Sequence, residues 1–85
     1  MTEPKYYLEI ESTPNNLITV EEFVNYFSVE LGLDREKING LLLAVTEATT
    51  NAIIHGNKNN KLKMVRIYVY VDGPNITIKI KDEGK

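Results

Sequence analysis

Cysteine is absent from this sequence, which excludes disulfides and thiolate metal sites. No apolar run is long enough to span a bilayer. The opening stretch, Met1 to Glu11, lacks a basic segment followed by an apolar one, so nothing argues for secretion. There is no cationic field either: 10 Lys and Arg stand against 12 Asp and Glu, a net charge of -2, which does not invite nucleic acid. Internal repeats, low-complexity tracts and linkers are missing. So are a Walker-type glycine loop with lysine and a GxGxxG run, the two common phosphate cradles. What remains is the expectation of a soluble cytoplasmic protein. Its composition is that of an ordinary globular domain, 26% charged and 42% hydrophobic. At 85 residues it makes one domain at most, with a core that is marginal without a metal or a partner.

Periodicity organises the chain. Tyr6, Leu8 and Ile10 alternate with Tyr7 and Glu9, the pattern of a half-buried strand. Pro14 and two asparagines make residues 12–16 a loop. Thr19 is the expected N-cap of a first helix, with Glu22 completing a capping box. Val20, Phe23, Val24, Phe27 and Leu31 give that helix one apolar face, and Gly32 stops it. Asp34 caps a second helix, with Glu36 in its first turn to suit the dipole. Ile38, Leu41, Leu42, Val45, Ala48 and Ala52 form its buried face. Gly56 is expected to end it in a left-handed conformation, and residues 57–63 read as a polar, mobile connection. Val65, Ile67, Val69 and Val71 then alternate with Arg66, Tyr68 and Tyr70. A turn at residues 72–75 joins this strand to one carrying Ile76, Ile78 and Ile80, so the two form an antiparallel hairpin. The order strand, helix, helix, strand, strand predicts an α+β fold with two helices on one face of a mostly antiparallel sheet.

Three residues stand out on the second helix. Glu47, Asn51 and His55 are spaced by four and share one stripe. A carboxylate amid Leu42, Leu43 and Ile54 either faces solvent or lines a pocket, because burying it alone is costly. Asn51 is a poor interior helix residue. It either caps a neighbouring loop or offers a hard oxygen suited to magnesium. His55 suits a helix C-terminus as a cation. With Glu47 it makes no zinc site, because a third protein ligand is not evident. After the last strand, Asp82 alone would begin a turn. With Gly84 beside it, the pair suits a ligand: the glycine lets backbone approach, and the carboxylate accepts from an amine.

These residues together resemble the GHKL (Bergerat-fold) ATP-binding family, which includes gyrase, mismatch-repair ATPases and histidine kinases. The run Glu47-Ala-Thr-Thr-Asn51-Ala52 is similar to that family's N-box, and Asp82-Glu83-Gly84 to the opening of its first glycine box. Thr46 to Gly56, TEATTNAIIHG, resembles most the bacterial anti-sigma-factor serine/threonine kinases. The resemblance implies a truncated Bergerat fold with Mg2+ and ATP as cofactors. It implies that Asn51 coordinates the magnesium, Glu47 is the general base, Asp82 accepts the adenine amino group and Gly84 gives the base room. Histidine kinases usually carry an amide where Glu47 stands, so the glutamate points to a serine kinase or a hydrolytic ATPase. The expected parent phosphorylates an anti-anti-sigma protein on serine and sequesters a sigma factor. The alternatives are a non-catalytic scaffold that binds partners and a hydrolytic GHKL ATPase. The family's ATP lid and later glycine box have no counterpart in residues 1–85. The expectation is therefore the N-terminal part of one domain, inactive as it stands, with an uncovered sheet edge that favours a homodimer.

Overall fold

The computed structural model describes residues 3–84. Its elements are β1 (Tyr6–Glu11), α1 (Leu17–Glu30), α2 (Arg35–Asn51), β2 (Met64–Asp72) and β3 (Asn75–Lys81). A 3-10 turn (Pro14–Asn16) leads into α1, and a π turn (Ala52–Gly56) extends α2. The sheet has the order β1-β2-β3 and is antiparallel throughout, with Leu8 opposite Ile67 and Ile67 opposite Ile80. The expected α+β architecture is what the chain adopts.

The registers explain which face is buried. Period-2 alternation puts Tyr6, Leu8, Ile10, Val65, Ile67 and Val69 on one side of the sheet. Val65, Ile67 and Val69 are fully buried there, with Val20, Val24 and Phe27 of α1 and Val45 of α2. Ile53, in the π turn, joins the same cluster. Burying a side chain of that size removes apolar area worth roughly 1.5–3 kcal/mol. The other side of the sheet is polar and aromatic. Glu9 and Arg66 are opposite one another and pair at 2.8 Å, and the Tyr7 and Tyr68 rings lie 5.2 Å apart.

The helix ends follow local chemistry, with one exception. Asp34 Oδ1 accepts the Lys37 N–H at 2.9 Å, as a capping aspartate should. At the other end of α1, the Gly32 N–H reaches Val29 O and the Leu33 N–H reaches Ser28 O, both at 3.0 Å. With Gly32 at φ +72°, this is a Schellman stop. The exception is the start of α1. Thr19 lies inside the helix and caps nothing, because Pro14 opens a helical turn that runs on into Leu17. Asn16, at the junction, turns its amide back to Glu11 O at 2.9 Å. In the β2–β3 hairpin a two-residue turn has Gly73 at φ +61° followed by Pro74. That is the type II′ pattern, because proline cannot supply the second positive φ of type I′.

The C-terminal end of α1 is tied to β1 by a carboxylate. Glu30 accepts hydrogen bonds from the hydroxyls of Tyr6 and Tyr26. The bond to Glu30 pushes the Tyr6 phenol up from 10.0 to about 12, and the two hydroxyls hold Glu30 below its ordinary 4.5. A phenol raised on folding contributes stability that is present below pH 10 and lost as pH climbs towards 12. A carboxylate lowered on folding contributes stability present above its ordinary value and lost as pH falls below it. Spectrophotometric titration should therefore find a tyrosine that resists ionisation until about pH 12. Glu30→Gln should return it to the ordinary range; a late transition that survives in this variant would exclude Glu30 as its cause.

Candidate functional site

Helix α2 carries the polar stripe, and its surroundings decide what the stripe can do. The helix buries Val45 and Thr49 and turns Leu43 and Glu47 outwards. It is a surface helix, not one enclosed on all sides, and Leu43 is 63% exposed. Glu47 and Asn51 are both exposed and share one hollow of about 450 Å³ with Thr46 and Thr50. The threonine hydroxyl hydrogens are committed to the helix backbone. Thr46 donates to Leu42 O at 2.6 Å, and Thr50 donates to Thr46 O at 2.7 Å. The Glu47 carboxylate and the Asn51 amide make no hydrogen bond or ion pair with any described residue. They are thus the free polar groups of the hollow, an acceptor-only group beside one that both donates and accepts.

The lower end of the helix is built differently. Gly56 does not adopt a left-handed conformation; the chain reverses at Lys58 and Asn59, with φ of 55° and 58°. The π turn widens the helix there, and the Asn57 N–H closes it on Ala52 O at 2.7 Å. The segment after β3 lies against Gly56. A Cβ at 56 would stand 2.3 Å from Asp82 Oδ2, and a Cβ at 84 would stand 2.1 Å from Gly56 O. A side chain at 84 would meet backbone, whereas one at 56 would meet the Asp82 carboxylate and displace it.

This contact is sealed by a side chain that composition alone assigned to a mobile connection. Asn57 is 1% exposed. Its Nδ2 donates to Ser12 Oγ at 2.7 Å and to Met64 O at 3.0 Å, and its Oδ1 accepts the Glu83 N–H at 2.6 Å. Ser12 Oγ in turn donates to Lys63 O at 2.6 Å. The Glu83 carboxylate accepts from Met64 N at 2.5 Å and lies 3.9 Å from Arg66. Asp82 Oδ1 accepts the Gly84 N–H at 2.9 Å, which leaves Oδ2 without a partner among the described residues. Asp82 itself is exposed.

The structure brings Glu47 and Asn51 together. It places Asp82 and Gly84 just past the C-terminal end of α2, against Gly56 of the π turn and outside the hollow. Asn51 and Gly56 are roughly 7 Å apart along the axis at the usual rise per residue. His55 is exposed and does not line the hollow. Asn57, Ser12 and Glu83 escaped notice from the sequence. The one available signal was the Gly56-Asn57 step itself, an asparagine directly after a glycine that ends an apolar helix.

Residues 10–85 match the family described as histidine kinase-like ATPase domain. Curated relatives named anti-sigma F factor match over the whole chain. The one from Clostridium beijerinckii is 34% identical over 84 residues, 99% of this chain and 59% of that protein. The one from Clostridium botulinum is 35% identical over 85 residues, again covering 59% of that protein. A Thermoanaerobacter relative is 42% identical over 59 residues, 69% of this chain and 41% of its own length. The chain thus spans less than two thirds of the length of the relatives it matches.

The Gly56–Gly84 contact predicts opposite effects from one chemical change. Gly84→Ala should lower stability by about 1–3 kcal/mol, because its methyl meets a backbone carbonyl that cannot move aside cheaply. Gly40→Ala, on α2 with nothing within 4 Å of the new methyl, should raise it by about 0.5–1 kcal/mol. Denaturant unfolding of both variants checks this; equal effects would mean the close approach imposes no constraint.

Proposed function

The chain belongs to the histidine kinase-like ATPase domain family, and from that premise we propose that it is the N-terminal part of an anti-sigma-factor-type serine/threonine kinase. The observation that carries this reading is the free Glu47 carboxylate one turn from the free Asn51 amide, opening into a single hollow. In this reading the parent domain binds ATP with Mg2+ and phosphorylates an anti-anti-sigma protein on serine. It also holds a sigma factor in an inactive complex, as a cytoplasmic homodimer. The relatives' printed name supports the sigma-factor part. The dimer draws support from β1 and β3, which are the outer strands of the described sheet.

The donor set fits the ion. Magnesium keeps several waters and takes few protein oxygens, and Asn51 offers one amide oxygen in an open, polar hollow. Among the described residues no cluster of three His, Asp or Glu could hold a metal. Asn51 would thus hold the ion together with water and phosphate oxygens. Bound there, the ion supplies charge neutralisation at the β- and γ-phosphates.

Glu47 acts as the general base. The serine Oγ of the substrate attacks the γ-phosphorus, its proton passes to the Glu47 carboxylate, and the bond from phosphorus to the β-bridging oxygen breaks to release ADP. The base needs a free carboxylate that can turn towards an incoming hydroxyl, and Glu47 is exposed with no partner among the described residues. Beyond the π turn Asp82 accepts the adenine amino group. Its Oδ1 is occupied by the Gly84 N–H, so Oδ2 takes the amine. Gly84, held against Gly56, leaves that side of the base bare of a side chain.

In the full-length protein, Glu47→Ala should bind ATP as the unaltered protein does and lose serine transfer by about 10²-fold or more. Equal transfer rejects the base assignment. Asn51→Ala should weaken magnesium-dependent ATP binding by about tenfold, equivalent to roughly 1.4 kcal/mol; an unchanged calorimetric affinity contradicts the ligand role. Labelled ATP incubated with an anti-anti-sigma protein separates the activities. Label on a partner serine supports the kinase, free phosphate indicates a hydrolytic ATPase, and neither indicates a binding scaffold.

A further inference from the structure

We propose that Asn57 is a positioning residue for purine recognition: by holding the Glu83 amide it fixes the Asp82 carboxylate in the orientation that selects ATP over GTP. The proposal rests on the nucleotide-binding reading above and adds a residue to it.

Asn57 is buried in an otherwise exposed polar stretch, and its side chain is fully engaged. Both amide hydrogens and the amide oxygen are used, and their partners come from three separate segments: Ser12 after β1, Met64 at the start of β2, and Glu83 after β3. That combination of two donors and one acceptor belongs to an amide. An aspartate lacks the donors, and a leucine lacks both.

Asp82 lies against Gly56 but, among the described residues, makes no hydrogen bond outside its own segment. Its side chain is exposed, and its one hydrogen bond is to Gly84, two residues away in the same segment. The direction of its carboxylate therefore depends on the peptide that joins it to Glu83, and Asn57 Oδ1 grips the N–H of that peptide at 2.6 Å. The Glu83 carboxylate also holds Met64 N, so the segment stays attached if Asn57 is lost. What is lost is the orientation of the 82–83 peptide, which then turns freely against Gly56.

Orientation matters because the two purines differ at C6, and guanine's other donors, N1–H and the C2 amino group, are out of reach of a carboxylate held at C6. Adenine presents an amino donor at C6, whereas guanine presents a carbonyl. A fixed carboxylate accepts from the first and repels the second. A carboxylate that swings does neither well. Binding of the triphosphate through Asn51 does not depend on the base, so loss of Asn57 should act on ATP and spare GTP.

The test measures ATP and GTP affinity by calorimetry in the full-length protein, alongside the melting temperature. Asn57→Ala should lower ATP affinity by about tenfold, the loss expected for a charge-assisted hydrogen bond, while GTP affinity moves less than about threefold. Asn57→Asp keeps the acceptor for the Glu83 amide and gives up both donors. It should melt lower and keep its ATP preference. A lower melting temperature with an unchanged ATP-to-GTP ratio in Asn57→Ala would make Asn57 a packing residue and overturn the proposal, as would an equal loss of preference in Asn57→Asp. If Asn57→Ala does not fold, Ser12→Ala takes its place. Removing one of the bonds that hold Asn57, it should cut the preference by about threefold, and an unaltered preference overturns the idea. Wild-type protein that binds neither nucleotide rejects the nucleotide-binding reading itself, an outcome distinct from normal ATP preference that survives the loss of Asn57.

Discussion

Two backbones pressed together at Gly56 and Gly84 set the geometry of everything at the C-terminal end of α2. The contact leaves no room for a Cβ on Gly84, and one on Gly56 would displace the Asp82 carboxylate. It brings the last turn of the helix against the segment that follows β3, and so links the helical layer to the end of the sheet. A glycine-to-glycine contact has little adhesion of its own. Its permanence comes from Asn57, whose buried amide satisfies polar groups from three segments at once. Buried polar groups demand partners, so this arrangement is strongly specified: any slippage would leave several of them unsatisfied together.

The last two turns of α2, just before the π turn, contrast with it. Around Thr46 and Thr50 the hydroxyls are taken up by the helix backbone, and Glu47 and Asn51 are left free. A group that is to bind or to take a proton must keep its hydrogen-bonding capacity available, whereas a group that holds a fold together must use it. Helix α2 separates the two duties along its axis. Its inner face, through Val45, Thr49 and then Ala52 and Ile53, supplies the packing that keeps both halves in register with the sheet.

Much of the fold was legible in the pattern of side chains. Alternation located β1, β2 and β3, and the Gly73-Pro74 step located the hairpin. Asp34 and Gly32 marked helix ends because capping is a local matter of a few bonds. Thr19 misled because a capping box is only as good as its position. Pro14 had already begun the helical turn upstream, and proline outranks a threonine that merely could cap. Gly56 misled for another reason. A glycine at the end of a helix is most often there for its φ, whereas this one has an ordinary φ and lies under the Asp82 carboxylate. Asn57 was read by its company, among lysines and asparagines, and that company is exposed while it is not.

The sequence by itself determined the order of elements, the buried face of each strand, and the pairing of a carboxylate with an amide one helical turn on. These depend on spacing, and spacing within a regular element is read directly from residue numbers. Only the tertiary structure decided that Asp82 would meet Gly56, that Asn57 would be buried, and that Glu83 would lie over Met64 and Arg66. Those contacts join residues 17 to 45 positions apart. They form because chain reversal and sheet pairing carry distant polar groups into one dry space, where each must find a partner, and no local pattern encodes which partner that is.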